Sequence, residues 1–147
     1  MEHHLLIPHN KSLLIFHLVC PIKYRRKIFT EGNQTTFKSI CSELAERYNF
    51  RFLEIGLDED HAHFLIQTAP NILISHMVQT IKSITAIEMF KRHPEVKVFL
   101  WGGQFWTDGY YINTVGQYGN LGILKNYVKN QGIKWYIQIH QQTLFLS

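Results

Sequence analysis

Cysteine is scarce in this chain. Cys20 and Cys41 are the only two in 147 residues, and they are not paired at the short spacing of a thiolate zinc site, nor numerous enough for a disulfide framework. Long apolar runs are also missing. Leu13–Phe16 and Leu18–Cys20, interrupted by His17, fall far short of the ~20 residues that cross a bilayer. The N-terminus lacks the basic, apolar and small-residue order of a signal peptide. These absences lead us to expect a protein of the reducing cytoplasm with no membrane partner. Acidic residues are fewer than basic ones, 11 against 15, which leaves a net charge of +4. That balance permits an anionic partner without requiring one. With 46% hydrophobic and 14% aromatic residues, the chain can bury one core, so a single domain over 1–147 is expected.

The most informative stretch is His61-Ala62-His63-Phe64-Leu65-Ile66-Gln67. Polar and apolar residues alternate there as on a strand, which places His61, His63, Leu65 and Gln67 on one face. Same-face neighbours on a strand lie roughly 6 to 7 Å apart, so two imidazoles can lean toward one ion about 2 Å from each nitrogen. Two ligands do not close a site. A further one has to come from elsewhere, and the open positions that remain suit catalysis better than structure. A pair of half-exposed surface histidines gives the same spacing, and the dipeptide alone leaves both readings open.

Around this stretch, Met1–Lys11 is a polar lead-in. Ser12–Val19 is dense in branched and aromatic residues and reads as a first strand. Lys23, Arg25, Arg26 and Lys27, interleaved with Tyr24, form a basic loop suited to phosphate contacts, or simply to solvent. Asn33–Asn49 carries Phe37, Ile40, Cys41, Leu44 and Tyr48 at helical spacing, with Thr35 or Thr36 as cap and Glu43 facing Arg47. Arg51–Asp58 alternates as a second strand, and Asp58-Glu59-Asp60 reads as a solvated turn into the His61 strand. Pro70-Asn71 opens a second helix striped by Ile74, Met77, Val78, Ile81 and Ile84, with Lys82, Lys91 and Arg92 off the stripe and Pro94 ending it. Val96–Leu100 reads as a strand, Trp101–Tyr111 as a glycine-punctuated aromatic hairpin, and Ile112–Val115 as the return strand. The order strand, helix, strand, strand, helix, strand predicts an α+β, ferredoxin-like (RRM-like) antiparallel sheet with helices on one face.

One more helix follows. Asn120 caps it, Leu121, Leu124 and Val128 give it a narrow apolar stripe, and Gly132 stops it. Tyr127 and Gln131 stand beside the stripe, four residues apart and so on one face, with Cβ atoms roughly 6 Å apart. A tyrosine can attack a phosphodiester and hold the product as an ester, and a glutamine carbonyl can complete a metal site. A packing tyrosine would look the same.

Taken together, the His61-Ala62-His63 strand after the Lys23–Lys27 segment, then Leu100-Trp101-Gly102-Gly103-Gln104-Phe105-Trp106-Thr107-Asp108-Gly109-Tyr110, then Tyr127 with Gln131, resemble the single-tyrosine HUH transposases of small bacterial and archaeal insertion sequences. The resemblance runs from about Leu13 to Gly132. It implies that His61, His63 and Gln131 bind one divalent cation, Mg²⁺ or Mn²⁺, and that Tyr127 is the nucleophile, on a mobile helix over 117–132. It also implies a substrate of single-stranded DNA with hairpin ends, a 5′-phosphotyrosine intermediate, and a homodimer with shared active sites. Lys23, Arg25, Arg26 and Lys27 would grip the DNA backbone. Ala62 stands where the family commonly has a bulkier apolar residue, and the tail after Gly132 has no assigned role.

Other classes compete. A histidine-triad nucleotide hydrolase needs a third histidine where Leu65 stands, so that reading fails. A non-catalytic ferredoxin-like nucleic-acid-binding module explains charge and aromatics, yet the predicted sheet face carries histidines where stacking rings belong. A host nuclease acting on palindromic repeats is an alternative that the sequence hardly separates from a transposase.

Overall fold

The computed structural model describes residues 14–116. The elements run β1 (Leu14–Pro21), α1 (Glu31–Arg47), β2 (Phe50–Asp58), β3 (His61–Thr68), α2 (Ile74–Arg92), α3 (Pro94–Phe99) and β4 (Tyr111–Gly116). The four strands make one antiparallel sheet in the order β2-β3-β1-β4. This is the ferredoxin-like arrangement expected from the element order. The lead-in over 1–11, the Tyr127 helix over 117–132 and the tail lie outside the described residues.

The two faces of the sheet divide the sequence. Leu18 and Cys20 of β1, Ala62, Phe64 and Ile66 of β3, and Ile112 of β4 turn toward α1 and α2 and meet Phe37, Ile40, Leu44, Val78 and Ile81 in the main core. The other face carries the alternate residues and only a small apolar patch of Ile15, Leu53, Leu65 and Val115. In β2 the alternation is interrupted by a register shift between Phe52 and Glu54. A residue inserted in a strand inverts the phase of everything after it. Phe50 and Phe52 therefore face the helices before the bulge, and Ile55 and Leu57 do so after it. Glu54, Gly56 and Asp58 are moved to the histidine face, opposite Leu65, His63 and His61.

α1 begins earlier than Thr35 or Thr36. Thr30 is its N-cap, and Asn33 completes a capping box, with Asn33 N–H donating to Thr30 Oγ1 at 3.3 Å and Thr30 N–H to Asn33 Oδ1 at 2.8 Å. Asn33 also donates to the Ile28 carbonyl at 2.7 Å, tying the cap to the preceding loop. Glu43 pairs across to Arg92 of α2 at 2.8 Å rather than with Arg47. A side chain on the neighbouring helix competes successfully because the two helices pack side by side.

Val96–Leu100 is not a strand. Pro94 sits at the first turn of α3, where its missing N–H has no cost. Val96 and Leu100, four apart, are buried, while Val98 is 77% exposed. A strand would have put all three on one face, and helical spacing accounts for the burial. The segment 101–110 is likewise not a hairpin. It crosses the end of the sheet with Phe105 and Trp106 buried, a single bridge between Ile22 and Trp106, and α2 holding it in place. Trp106 Nε1 donates to Thr85 Oγ1 at 3.0 Å, and Lys82 Nζ donates to the carbonyls of Thr107, Asp108 and Gly109 at 2.8, 3.1 and 3.2 Å. Among the described residues no helix is long and apolar enough to cross a membrane.

Candidate active site

β3 places His61 and His63 side by side on the helix-free face, as its alternation requires. Their ring centroids are 6.0 Å apart and the planes nearly parallel, at 27°. His61 is buried and lies between two carboxylates. Asp58 Oδ2 is 2.9 Å from Nε2 and Asp60 Oδ1 is 3.0 Å from Nδ1. The hairpin between β2 and β3 has a two-residue loop, Glu59-Asp60, so Asp58 and His61 are necessarily partners. The acidic triplet is thus more than a solvated turn, since two of its members hold the first histidine.

His63 owes its position to Gly56. The imidazole lies over this residue of β2, and a Cβ at 56 would come within 2.1 Å of Nε2 and 2.2 Å of Cε1. Only glycine leaves that space. From the other side, His17 of β1 meets His63 edge to face, with centroids 5.8 Å apart and planes at 84°. Burial is the main cause that holds all three imidazoles below the ordinary histidine range. His17 is lowered to about 4, with the charge of His63 adding to burial. At His61 the carboxylates of Asp60 and Asp58 oppose the shift, and at His63 the neighbouring His61 reinforces it. Near neutral pH burial favours the uncharged ring at His17 and His63; at His61 each nitrogen faces a carboxylate, and a ring that donates from Nδ1 to Asp60 needs a cation, proton or metal, between Nε2 and Asp58.

Two imidazoles on successive same-face positions, one of them flanked by the Asp58 and Asp60 carboxylates, are a donor set that fits a divalent cation of the Mn²⁺ or Mg²⁺ type. They do not make a complete site. Among the described residues no group of three His, Cys, Asp or Glu side chains is gathered closely enough to hold a metal. The sequence reading sought the next ligand at Gln131 and the nucleophile at Tyr127, and both lie outside the described residues.

The basic segment begins one residue after β1 ends. Lys23–Arg25 forms a 3₁₀ turn whose Tyr24 and Arg25 are left-handed, at φ 59 and 55. Backbone bonds anchor it beside β3, Ile22 N–H to Asp60 O at 2.9 Å and Lys23 N–H to Phe105 O at 2.9 Å. The charge of Arg25 reaches His61, where it contributes to the lowered pKa. Lys27 pairs with Glu59 at 3.4 Å. The Arg26 guanidinium lies over the rings of Phe99 and Trp101, at 3.9 and 4.3 Å from their centroids. The four cations therefore differ in their surroundings, although the sequence presents them as one cluster. Asp58, Gly56 and His17 escaped the sequence reading. A glycine within a strand was the signal for Gly56 and a two-residue hairpin that for Asp58, while His17 had none.

Three comparisons bear on this arrangement. The sequence matches the family described as "Transposase IS200 like" over residues 10–131. The transposase for insertion sequence element IS200 of Salmonella typhimurium LT2 is 29% identical over 125 residues, covering 85% of this chain and 81% of the relative. The ISDra2 transposase TnpA of Deinococcus radiodurans is 30% identical over 118 residues, covering 80% and 84%. Among solved structures, a candidate transposase from Deinococcus radiodurans R1 superposes with a TM-score of 0.73 at 23% identity, over 94% of this chain and 96% of that one. A REP-associated tyrosine transposase bound to a REP hairpin gives a TM-score of 0.54 at 11% identity, over 92% and 76%. At such identities these two likenesses speak to the fold.

Proposed function

The chain belongs to the IS200-like transposase family, whose members cut and rejoin DNA, and from that premise we propose that it cleaves single-stranded DNA at hairpin-marked ends through a 5′-phosphotyrosine on Tyr127. The observation that carries this reading is the His61–His63 pair on the open face of the sheet, with the His63 ring set over Gly56, in a chain whose family match extends through Tyr127 and Gln131.

The residues divide the work as follows. His61, His63 and Gln131 would hold one Mg²⁺ or Mn²⁺, which when bound would polarise the scissile phosphate and offset charge developing on its oxygens. Asp60 fixes the orientation of the His61 ring from Nδ1 and leaves Nε2, beside Asp58, for the metal, while Gly56 and His17 set the place of His63. The Tyr127 phenol gives up its proton to solvent and its oxygen attacks phosphorus. The bond from phosphorus to the 3′-oxygen breaks, and that oxygen takes up a proton from solvent and leaves as a 3′-hydroxyl. A free phenol has a pKa near 10, so ionisation has to be favoured by the site. Attack by another 3′-hydroxyl releases Tyr127 and joins new ends, with no nucleotide cofactor consumed. Lys23, Arg25, Arg26 and Lys27 line the path of the DNA at the His61 end of the sheet. The enzyme works as a homodimer in which the Tyr127 helix of one subunit serves the histidine pair of the other.

The REP-associated transposase holds a REP hairpin, and the proposal gives this chain a hairpin substrate as well. The test is to offer one sequence twice, as a single-stranded hairpin with unpaired flanks and as a perfect duplex, each with Mn²⁺ or with chelator. Cleavage of the hairpin alone, only with metal, leaving an extendable 3′-hydroxyl and a protein-blocked 5′ end, is expected. Metal-independent cleavage, or equal cleavage of the duplex, refutes the proposal.

A further inference from the structure

The loop after β1 and the end of α3 meet in a patch that the histidine chemistry leaves unused. α3 closes with the bonding of a Schellman cap, Trp101 N–H to Val98 O at 2.9 Å and Gly102 N–H to Lys97 O at 2.8 Å. The left-handed place in that cap normally belongs to glycine. Here Trp101 occupies it, at φ 56, although Gly102 and Gly103 stand next in line. A bulky residue is strained there, and burial does not offset the strain, because Trp101 is 70% exposed. Backbone strain retained at an exposed side chain points to a use for that side chain.

The facing loop repeats the pattern. Tyr24 and Arg25 are left-handed in succession, and Tyr24 is 66% exposed. The Tyr24 and Trp101 rings meet 5.8 Å apart at 60°. Arg26 lies over Trp101 and Phe99. Its Nε is buried with no hydrogen-bond partner among the described residues, so ring faces rather than a carboxylate hold this part of the guanidinium.

We infer that Tyr24 and Trp101, braced by Arg26, form a stacking platform for an unpaired base of single-stranded DNA. The inference rests on the single-stranded substrate proposed above and adds a base-reading surface to it. Exposed rings flanked by Lys23, Arg25 and Lys27 combine a π-face for the base with cations for the phosphates on either side, the combination that single-strand binding uses. Position agrees as well. The loop leaves the sheet at Pro21, the partner of His61, so the segment that carries Tyr24 starts at the histidine end of the sheet. Stacking tolerates any base, so the platform sets unpaired against paired DNA and not one sequence against another.

The test compares binding of a fluorescent 20-nucleotide oligothymidylate with that of an equally long, fully abasic strand carrying the same phosphates, at one salt concentration. The full chain is expected to prefer the strand with bases by about five-fold or more, the effect of at least one stacked base. Trp101→Leu and Tyr24→Leu should each pull that ratio toward one, while Trp101→Phe keeps most of it. Should Trp101→Leu fail to fold, Tyr24→Leu and Trp101→Phe decide the question. A wild-type ratio of one, or a ratio unchanged in both Leu variants, overturns the platform. So does a Trp101→Leu variant that changes only the oligomeric state by sedimentation, since the patch would then belong to a second copy of the chain. Loss of cleavage by wild type would remove the transposase chemistry and leave the base preference standing, so the two failures are separable.

Discussion

Replacing Gly56 with alanine adds one methyl group beneath His63, and its effect can be worked out from distance alone. The new Cβ would lie 2.1 Å from Nε2 and 2.2 Å from Cε1, where ordinary contact begins at 3.4 Å. The ring therefore has to retreat by about 1.3 Å, most of a bond length beyond what a metal-nitrogen distance tolerates. A misplacement near 1 Å is worth roughly a hundred-fold in rate. Stability should suffer little, because His63 is only half-buried and has solvent to move into. A cost of about 1 kcal/mol, a few degrees in melting temperature, is expected. Mn²⁺ binding by electron paramagnetic resonance and cleavage of a single-stranded hairpin read the site, and calorimetry reads the fold. Gly109→Ala is the control, since a Cβ there meets nothing within 4 Å. Wild-type Mn²⁺ affinity and cleavage in Gly56→Ala would show that the His63 ring does not work from the place assigned to it.

Three further outcomes follow from the same geometry. Asp60→Asn removes the carboxylate 3.0 Å from His61 Nδ1 and should weaken Mn²⁺ binding by about ten- to a hundred-fold while the fold persists; unchanged affinity in titration calorimetry would return Asp60 to a surface role. Lys82→Met leaves the carbonyls of Thr107, Asp108 and Gly109 without their common donor. It should cost about 2 kcal/mol in urea unfolding and speed amide exchange over 107–112, and unaltered exchange there would refute the clamp. Lys23→Gln with Arg25→Gln should lower the salt dependence of single-strand binding by about 0.7 in log–log slope for each phosphate no longer neutralised; an unchanged slope would make the loop ordinary surface.

Much of the fold was legible because hydrophobic periodicity was strong where elements are long. β3 reads directly from His61 to Gln67, one residue short of its end at Thr68, and α2 from its stripe of Met77, Val78 and Ile81. Short segments were harder. Val96, Val98 and Leu100 suit a strand as well as a helix, and the first turn after Pro94, together with the buried place available to Val96 and Leu100, decided for the helix. The aromatic stretch after it has the glycine punctuation of a hairpin, but its rings are spent on filling the end of the sheet, with partners on α2 far away in sequence. At the site, alternation sufficed to place His61 and His63 on one face. What surrounds them depends on long-range register. The doublet Phe52-Leu53 breaks the alternation of β2, and that break is the bulge that turns Gly56 and Asp58 toward the histidines. His17 joins them only because β1 pairs beside β3, a neighbour relation that local pattern does not specify.

The central claim is that Tyr127 takes the cleaved DNA. Its most direct measurement is peptide mass spectrometry after the chain has reacted with a single-stranded hairpin and Mn²⁺, followed by nuclease and protease digestion. A 5′-phosphonucleotide on the peptide that contains Tyr127, absent with chelator and absent in Tyr127→Phe, is the predicted result. A covalent product on another residue, or cleavage that persists in Tyr127→Phe, would contradict it.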